Sequence, residues 1–215
     1  MNSFPWQGVA WDIDGTLLDS EPLHARSLTA VCEMFGVAVA ADDAQFVGMH
    51  IIDVWNVLRP LFPAGTTEAD FMVPLRAYYR NNASDLAIIP GARDVITALH
   101  DAGVRQVCVS NSTRDVVDIN LATLGMNALL QGALSLDDVT RGKPAPDPYL
   151  QGAALLGLPV DAVLAVEDSP TGVRSAQAAG LAVAMYVPAG HPEPTDVTPD
   201  FIISRLDQIP LLIPR

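Results

Sequence analysis

Two carboxylates one residue apart, Asp12-Ile13-Asp14, close the short apolar run Gly8-Val9-Ala10-Trp11 and are followed by Gly15 and Thr16. Residues two apart on a strand share a face. Side by side, two acids repel unless a cation lies between them or one is protonated. The pattern therefore suits a metal site in which one carboxylate attacks and the other handles protons. Gly15 permits a sharp turn, and Thr16 offers a hydroxyl nearby. The same five residues also read as a strand ending in an ordinary Asp-Gly turn.

Three further segments carry groups of the same kind. Ser110-Asn111-Ser112 follows the apolar run 104–109 and precedes a helical pattern, so a hydroxyl and backbone N–H groups at a helix start could bind an anion. Ser and Asn are also the usual helix N-caps, which is the plainer reading. Gly142-Lys143-Pro144-Ala145-Pro146-Asp147 holds one lysine before a proline-rich turn, able to present a point charge to a phosphate or to sit solvated at the surface. Glu167-Asp168-Ser169-Pro170-Thr171-Gly172 places two adjacent acids after an apolar strand. Oxygen ligands suit a hard cation such as magnesium, and acids also favour a helix N-terminus.

These groups need elements to hold them. Residues 8–13, 104–109, 162–166, 181–187 and 201–203 read as strands, short, apolar and partly β-branched. Residues 92–102, 113–124, 147–156 and 171–179 read as helices between them, with Val117, Leu121 and Leu124 facing inward in the second. Alternating strands and helices imply a parallel sheet covered on both faces, and all four chemical segments are expected at C-terminal strand ends, where such sheets bind ligands. The alternation is interrupted after the first strand. Residues 21–35, 51–61 and 68–82 carry helical patterns separated by Gly36, Pro60, Pro63 and Gly65. The expected architecture is an α/β, Rossmann-like, doubly wound parallel core formed by residues 1–18 and 87–215, with an all-helical cap domain, 19–86, inserted into it.

Bulk composition narrows the partners. Twelve Lys and Arg against 25 Asp and Glu give a net charge of −13, which argues against nucleic acid or an anionic membrane surface. An acidic chain that binds a phosphorylated small molecule must gather cations locally, through a metal ion and one or two lysines. Cys32 and Cys108 lie far apart in apolar surroundings and read as buried thiols. Residues 1–7 lack the pattern of a signal peptide, and no apolar stretch approaches the roughly 20 residues of a membrane span. The expectation is a cytoplasmic protein, a monomer or weak homodimer.

Taken together, Asp12-Ile13-Asp14-Gly15-Thr16 with its continuation Leu17-Leu18-Asp19-Ser20-Glu21-Pro22-Leu23-His24, then Ser110, Gly142-Lys143-Pro144 and Glu167-Asp168-Ser169-Pro170-Thr171-Gly172, resemble the motif set of the haloacid dehalogenase superfamily. The likeness is to its β-phosphoglucomutase-like and sugar-phosphatase branch and spans nearly the whole chain. The resemblance implies a fold with a helical cap and a magnesium-dependent phosphohydrolase. Asp12 would be the nucleophile, and Asp14 the acid that becomes the base. Thr16, Ser110, Asn111 (through its backbone N–H) and Lys143 would bind phosphoryl oxygens. Asp12, the Asp14 carbonyl and Asp168 would hold magnesium, with Glu167 a direct ligand or a residue behind one.

Among the histidines, His24 matches a position at the start of the family's cap, and His50 falls in a segment resembling the loop through which the cap reads substrate. Either reads equally as an ordinary helix or loop residue. His100 and His191 are expected at the surface. Three activities compete: a phosphatase of a sugar phosphate or similar metabolite, a β-phosphoglucomutase-like phosphomutase, and a non-catalytic binding protein of the same fold. Mutases of this branch resemble one another in a lysine just before a cap-loop glycine and an arginine three residues after it. Here Val47 and Ile51 flank Gly48 at those positions, which favours the phosphatase. Asp14 speaks against dehalogenation. The lack of any lysine from residue 20 to 86 speaks against phosphonate cleavage.

Overall fold

The structure, a computed structural model, describes residues 4–39, 46, 49 and 51–213. In chain order the strands are β1 (Gly8–Trp11), β2 (Leu18–Asp19), β3 (Ala87–Ile88), β4 (Arg105–Val109), β5 (Ala133–Leu134), β6 (Val163–Glu167), β7 (Ala182–Tyr186) and β8 (Phe201–Ile203). The helices are α1 (Glu21–Met34), α2 (Ile51–Leu58), α3 (Glu68–Asn81), α4 (Ala92–Asp101), α5 (Arg114–Leu124), α6 (Asp147–Leu156) and α7 (Pro170–Ala178). The chain divides into two compact units, Met1–Leu18 with Ile88–Arg215, and Asp19–Ala87.

The first unit is built on a six-stranded sheet in the order β5-β4-β1-β6-β7-β8, parallel throughout. The fold is the doubly wound α/β architecture that the alternation implies. Strand periodicity sorts the side chains between its faces. Ala10, Val107, Val109, Val163 and Ala165 pack with Tyr149, Ala153 and Leu156 of α6 and Val173 and Ala176 of α7 into one apolar core. The intervening positions, Trp11, Gln106 and Cys108 among them, point to the other face and are fully buried. There the Trp11 indole donates to Gln106 Oε1 at 3.0 Å, and Gln106 Nε2 donates to the Ile96 carbonyl of α4 at 2.9 Å. Arg93 of α4 in turn donates to the Thr123 and Leu124 carbonyls that end α5. A buried amide is tolerable because both its ends are paired.

β1 lies at the centre, with Trp11 in register with Cys108 of β4 and Val166 of β6. That register brings the loops after β1, β4 and β6 to one edge of the sheet. The strand expected over 8–13 stops at Trp11, because the chain begins to turn: Leu17 and Leu18 both donate to the Ile13 carbonyl, and Gly15 takes φ +81°. The short strand β5 has no apolar periodicity to announce it, and two residues are too few for a pattern.

Among the described residues of the second unit, only its terminal residues, Asp19 and Ala87, belong to strands, β2 and β3, and its other regular elements are helical. Its core gathers Leu28, Val31 and Cys32 of α1, Val54, Trp55 and Leu58 of α2, and Phe71, Met72 and Leu75 of α3 around Phe62. Trp55 stacks on Phe71 at 5.1 Å between ring centroids. Pro60 turns the end of α2 into a short 3-10 segment, Arg59–Leu61. Thr67 and Asp70 form a capping box that starts α3. Cys32 and Cys108 are both buried and unpaired, as expected, and burial pushes the Cys32 thiol up to about 11. Among the described residues no helix is long and apolar enough to cross a membrane.

The Trp11–Gln106–Ile96 chain of hydrogen bonds ties β1, β4 and α4 together. Gln106→Ala should therefore cost about 2–4 kcal/mol of unfolding free energy, since it strands an indole N–H and a carbonyl and leaves a cavity. Urea denaturation measures this, and a variant within about 0.5 kcal/mol of wild type would show that the bonds carry no net stability.

Candidate active site

Asp12 follows β1 directly and Glu167 ends β6. Both fall on the sheet face that carries α6, because each continues the alternation of Ala10 and Ala165. Lys143 reaches the same point from a loop. Its ammonium donates to Asp12 Oδ1 at 2.6 Å, to Glu167 Oε1 at 2.5 Å and to the Val109 carbonyl at 2.8 Å. The lysine side chain is 3% exposed and Glu167 is fully buried. Lys143 is therefore no surface lysine. Nor does it stand at a strand end, as its motif suggested: β5 finishes at Leu134, and the 3-10 turn Leu136–Asp138 intervenes.

The loop that delivers Lys143 is clamped by the Asn111 side chain. The Asn111 side chain accepts from the Lys143 backbone N–H at 2.7 Å and donates to the Lys143 carbonyl at 3.0 Å. Gly142 allows the approach, since a Cβ there would come 2.7 Å from Asn111 Oδ1 and 2.5 Å from Leu136. Tyr149 of α6 donates its hydroxyl to the same Glu167 Oε1, and Ser169 donates to Oε2 at 3.3 Å. Ser169, not the acids before it, caps α7, accepting from the Gly172 N–H at 3.0 Å. A Cβ on Gly172 would overlap the Glu167 carboxylate.

Asp14 goes elsewhere. Its Oδ2 accepts from the hydroxyls of Ser110 at 3.0 Å and Ser112 at 2.9 Å, and its Oδ1 accepts from Asn120 Nδ2 at 2.9 Å. The two acids of the Asp-x-Asp motif do not lie side by side on one strand face, because the chain turns after Asp12, which still donates its N–H to the Val166 carbonyl of β6. One is paired with a lysine, and the other accepts from two hydroxyls and an amide. Ser110 also accepts from the Ser112 N–H at 2.9 Å, so it organises the loop, while the N-cap of α5 is Thr113.

Asp168 is half-buried and takes the Thr16 hydroxyl at 3.4 Å. Gly15 passes so close that a Cβ would overlap the Asp168 carboxylate. Asp12, Glu167 and Asp168 each offer an oxygen within 4.8 Å of the others. Asp12 Oδ2 is buried without a hydrogen-bond partner. Burial pushes the Asp12 carboxyl well up, Lys143 opposes this, and Glu167, Asp168 and Asp14 reinforce it. Burial would lower the Lys143 ammonium, but Asp12 and Glu167 outweigh it and hold the lysine charged. Three clustered acids with one ammonium leave an excess of negative charge. That excess and the unpaired oxygen fit a divalent cation bound through oxygen.

His24 sits in α1, half-buried, with its ring 4.6 Å from that of Tyr79 in α3. His50, with Val47 and Gly48, lies outside the described residues. His100 and His191 are exposed, as expected. Sequence reasoning missed Tyr149, Ser112 and Asn120. Tyr149 and Asn120 carried a signal: each is a polar group on the apolar face of a predicted helix.

The haloacid dehalogenase-like hydrolase family model matches residues 9–186, and the chain belongs to that family. It is a phosphoric monoester hydrolase of the family's phosphatase kind. Hexitol phosphatase A of Escherichia coli is 33% identical over 207 residues, covering 94% of this chain and 93% of that protein. The plasmid-encoded phosphoglycolate phosphatase of Cupriavidus necator is 28% identical, covering 98% and 94%. CbbY of Rhodobacter sphaeroides, solved in complex with phosphate, superposes with a TM-score of 0.81 at 22% identity over 93% of this chain and 94% of its own, a likeness of fold.

Tyr149→Phe removes one donor from a fully buried carboxylate and leaves the ring in place. It should cost about 1.5–3 kcal/mol, the range for a hydrogen bond to a charged group. Chemical denaturation checks this, and an unchanged midpoint would mean that Lys143 alone satisfies Glu167 Oε1.

Proposed function

We propose that this chain is a magnesium-dependent phosphatase of a small phosphorylated metabolite, a sugar phosphate or similar phosphomonoester, acting through an aspartyl phosphate on Asp12. The observation that carries this is the carboxylate cluster at the end of β1 and β6: one oxygen of Asp12 is held by a buried lysine and the other is unpartnered. The family membership and the E. coli relative's hexitol phosphatase activity support the substrate class.

Magnesium would be held by Asp12 Oδ2, Asp168 and the Asp14 backbone carbonyl. Glu167 stands behind them, because Oε1 already serves Lys143 and Tyr149 and Oε2 faces Ser169. When bound, the ion offsets the repulsion between an anionic nucleophile and an anionic phosphate. Asp12 attacks phosphorus, and a carboxylate–phosphorus bond forms as the bond to the leaving oxygen breaks. Asp14 gives that oxygen a proton. It then takes a proton from the water that cleaves the aspartyl phosphate, so one hard step becomes two easier ones. Lys143 through its charge, the Asn111 N–H, and the Ser110 and Thr16 hydroxyls once turned from Asp14 and Asp168, stabilise the phosphoryl oxygens as charge shifts. Residues 19–86 act as a cap that reads the substrate, with His24 and His50 as its candidates, and closure excludes bulk water.

The test is phosphate release from a panel of phosphorylated metabolites with and without magnesium. Turnover should require the ion and vanish in excess chelator, and calcium should inhibit, because it takes more ligands at longer distances. Asp12→Asn should fold and yet be inactive; wild-type rates in that variant would overturn the mechanism. Magnesium alone should raise the thermal midpoint of wild type and do so less for Asp168→Asn, because relief of carboxylate repulsion does not depend on turnover. Supplied with β-glucose 1-phosphate and a bisphosphate primer, the enzyme should not form glucose 6-phosphate; efficient isomerisation would make it a mutase.

A further inference from the structure

Asn120 occupies a position that helix packing alone would give to an apolar residue. The buried face of α5 runs Val116, Val117, Asn120, Leu121 and Leu124. Asn120 is fully buried, and a buried amide is costly unless it is hydrogen-bonded. Its Nδ2 is aimed at Asp14 Oδ1, at 2.9 Å. Ser110 and Ser112 hold the other oxygen of the same carboxylate from the loop after β4. Donors on one oxygen would leave the carboxylate free to swing about its Cβ–Cγ bond. A donor on each oxygen, from two separate segments, sets its plane.

We infer that Asn120 is a positioning residue for proton transfer: its amide, with Ser112, sets the orientation in which Asp14 delivers a proton to the leaving oxygen. This rests on the reading of Asp14 as the acid. General acid catalysis depends on aim, since donor and acceptor must come within hydrogen-bond reach. No bond in this role is made to substrate. Loss of Asn120 should therefore spare binding and penalise leaving groups that need a proton.

The test compares kcat/KM for phenyl phosphate and 4-nitrophenyl phosphate, two esters of similar shape. Steps after loss of the leaving group do not enter this ratio, and 4-nitrophenolate departs without a proton more readily than phenolate. Asp14→Asn sets the baseline, with the largest selective loss on phenyl phosphate. Asn120→Ala should lose about tenfold more on phenyl phosphate than on 4-nitrophenyl phosphate, a fraction of the hundredfold or more that an aimed acid supplies. Asn120→Leu keeps nearly the same shape and removes the donor at a position that packing would give to an apolar residue, so it should show the same split if the alanine variant folds poorly. Ser112→Ala, outside the core, should show a smaller one. Equal losses on both esters, or Asn120 variants as active as wild type on phenyl phosphate, would overturn the inference. An Asp14→Asn enzyme with no split would instead remove Asp14 from the acid role, and a wild type that releases phosphate from no ester would bring down the phosphatase reading itself.

Discussion

Burying an ammonium group inside a protein is tolerated only where carboxylates and carbonyls replace the water it loses, and the active unit is arranged around one such burial. Lys143 is surrounded by Asp12, Glu167 and the Val109 carbonyl. These acceptors come from β1, β6 and β4, three adjacent strands. Their carbonyl and carboxylate positions are mutually fixed by the parallel register, so the ammonium has a preformed seat. Removing any one acceptor would leave charge uncompensated in a dry environment, which is more costly than the net worth of the pair. The supporting contacts follow from that need. Asn111 grips the Lys143 backbone at both its N–H and its carbonyl, and Tyr149 adds a donor to the shared Glu167 oxygen.

The same cluster carries more negative charge than one lysine cancels. This is what makes it chemically useful. Asp12 has one oxygen anchored by the ammonium and the other unpartnered, which leaves that second oxygen open to a cation. Two glycines show how tightly the acids are enclosed: side chains at Gly15 and Gly172 would collide with Asp168 and Glu167.

Asp12 and Asp14 are separated by a single residue and yet belong to different networks. Asp12 continues the face of β1 that meets α6. Asp14 comes after the chain has begun to turn, and it bonds to the loop after β4 and to α5. Dividing the two carboxylates between a lysine on one side and a set of hydroxyls and an amide on the other gives neighbouring groups of one type different surroundings. The Asp12–Lys143–Glu167 network is buried, whereas that of Asp14 is only partly so.

The amino-acid sequence by itself determined much of this. Strand and helix alternation fixed the fold class, because burial on both faces of a parallel sheet demands apolar runs spaced by amphipathic helices. The four motifs marked the polar groups that the fold gathers, because Asp, Ser, Lys and the acidic pair have few reasons to recur in that order at loop positions. The tertiary structure decided what each group touches. No local pattern tells that Lys143 is buried, since a lysine before a proline reads as solvated until β1 and β6 bring two carboxylates to it. Beside the backbone N–H expected to serve a phosphoryl oxygen, Asn111 has a side chain that grips a loop some thirty residues away. Tyr149 and Asn120 are polar groups on apolar helix faces, a visible irregularity whose partners, Glu167 and Asp14, lie on other elements. Hydrogen-bond partners distant in sequence are set by sheet register and helix packing, and these are properties of the folded chain that no segment carries alone.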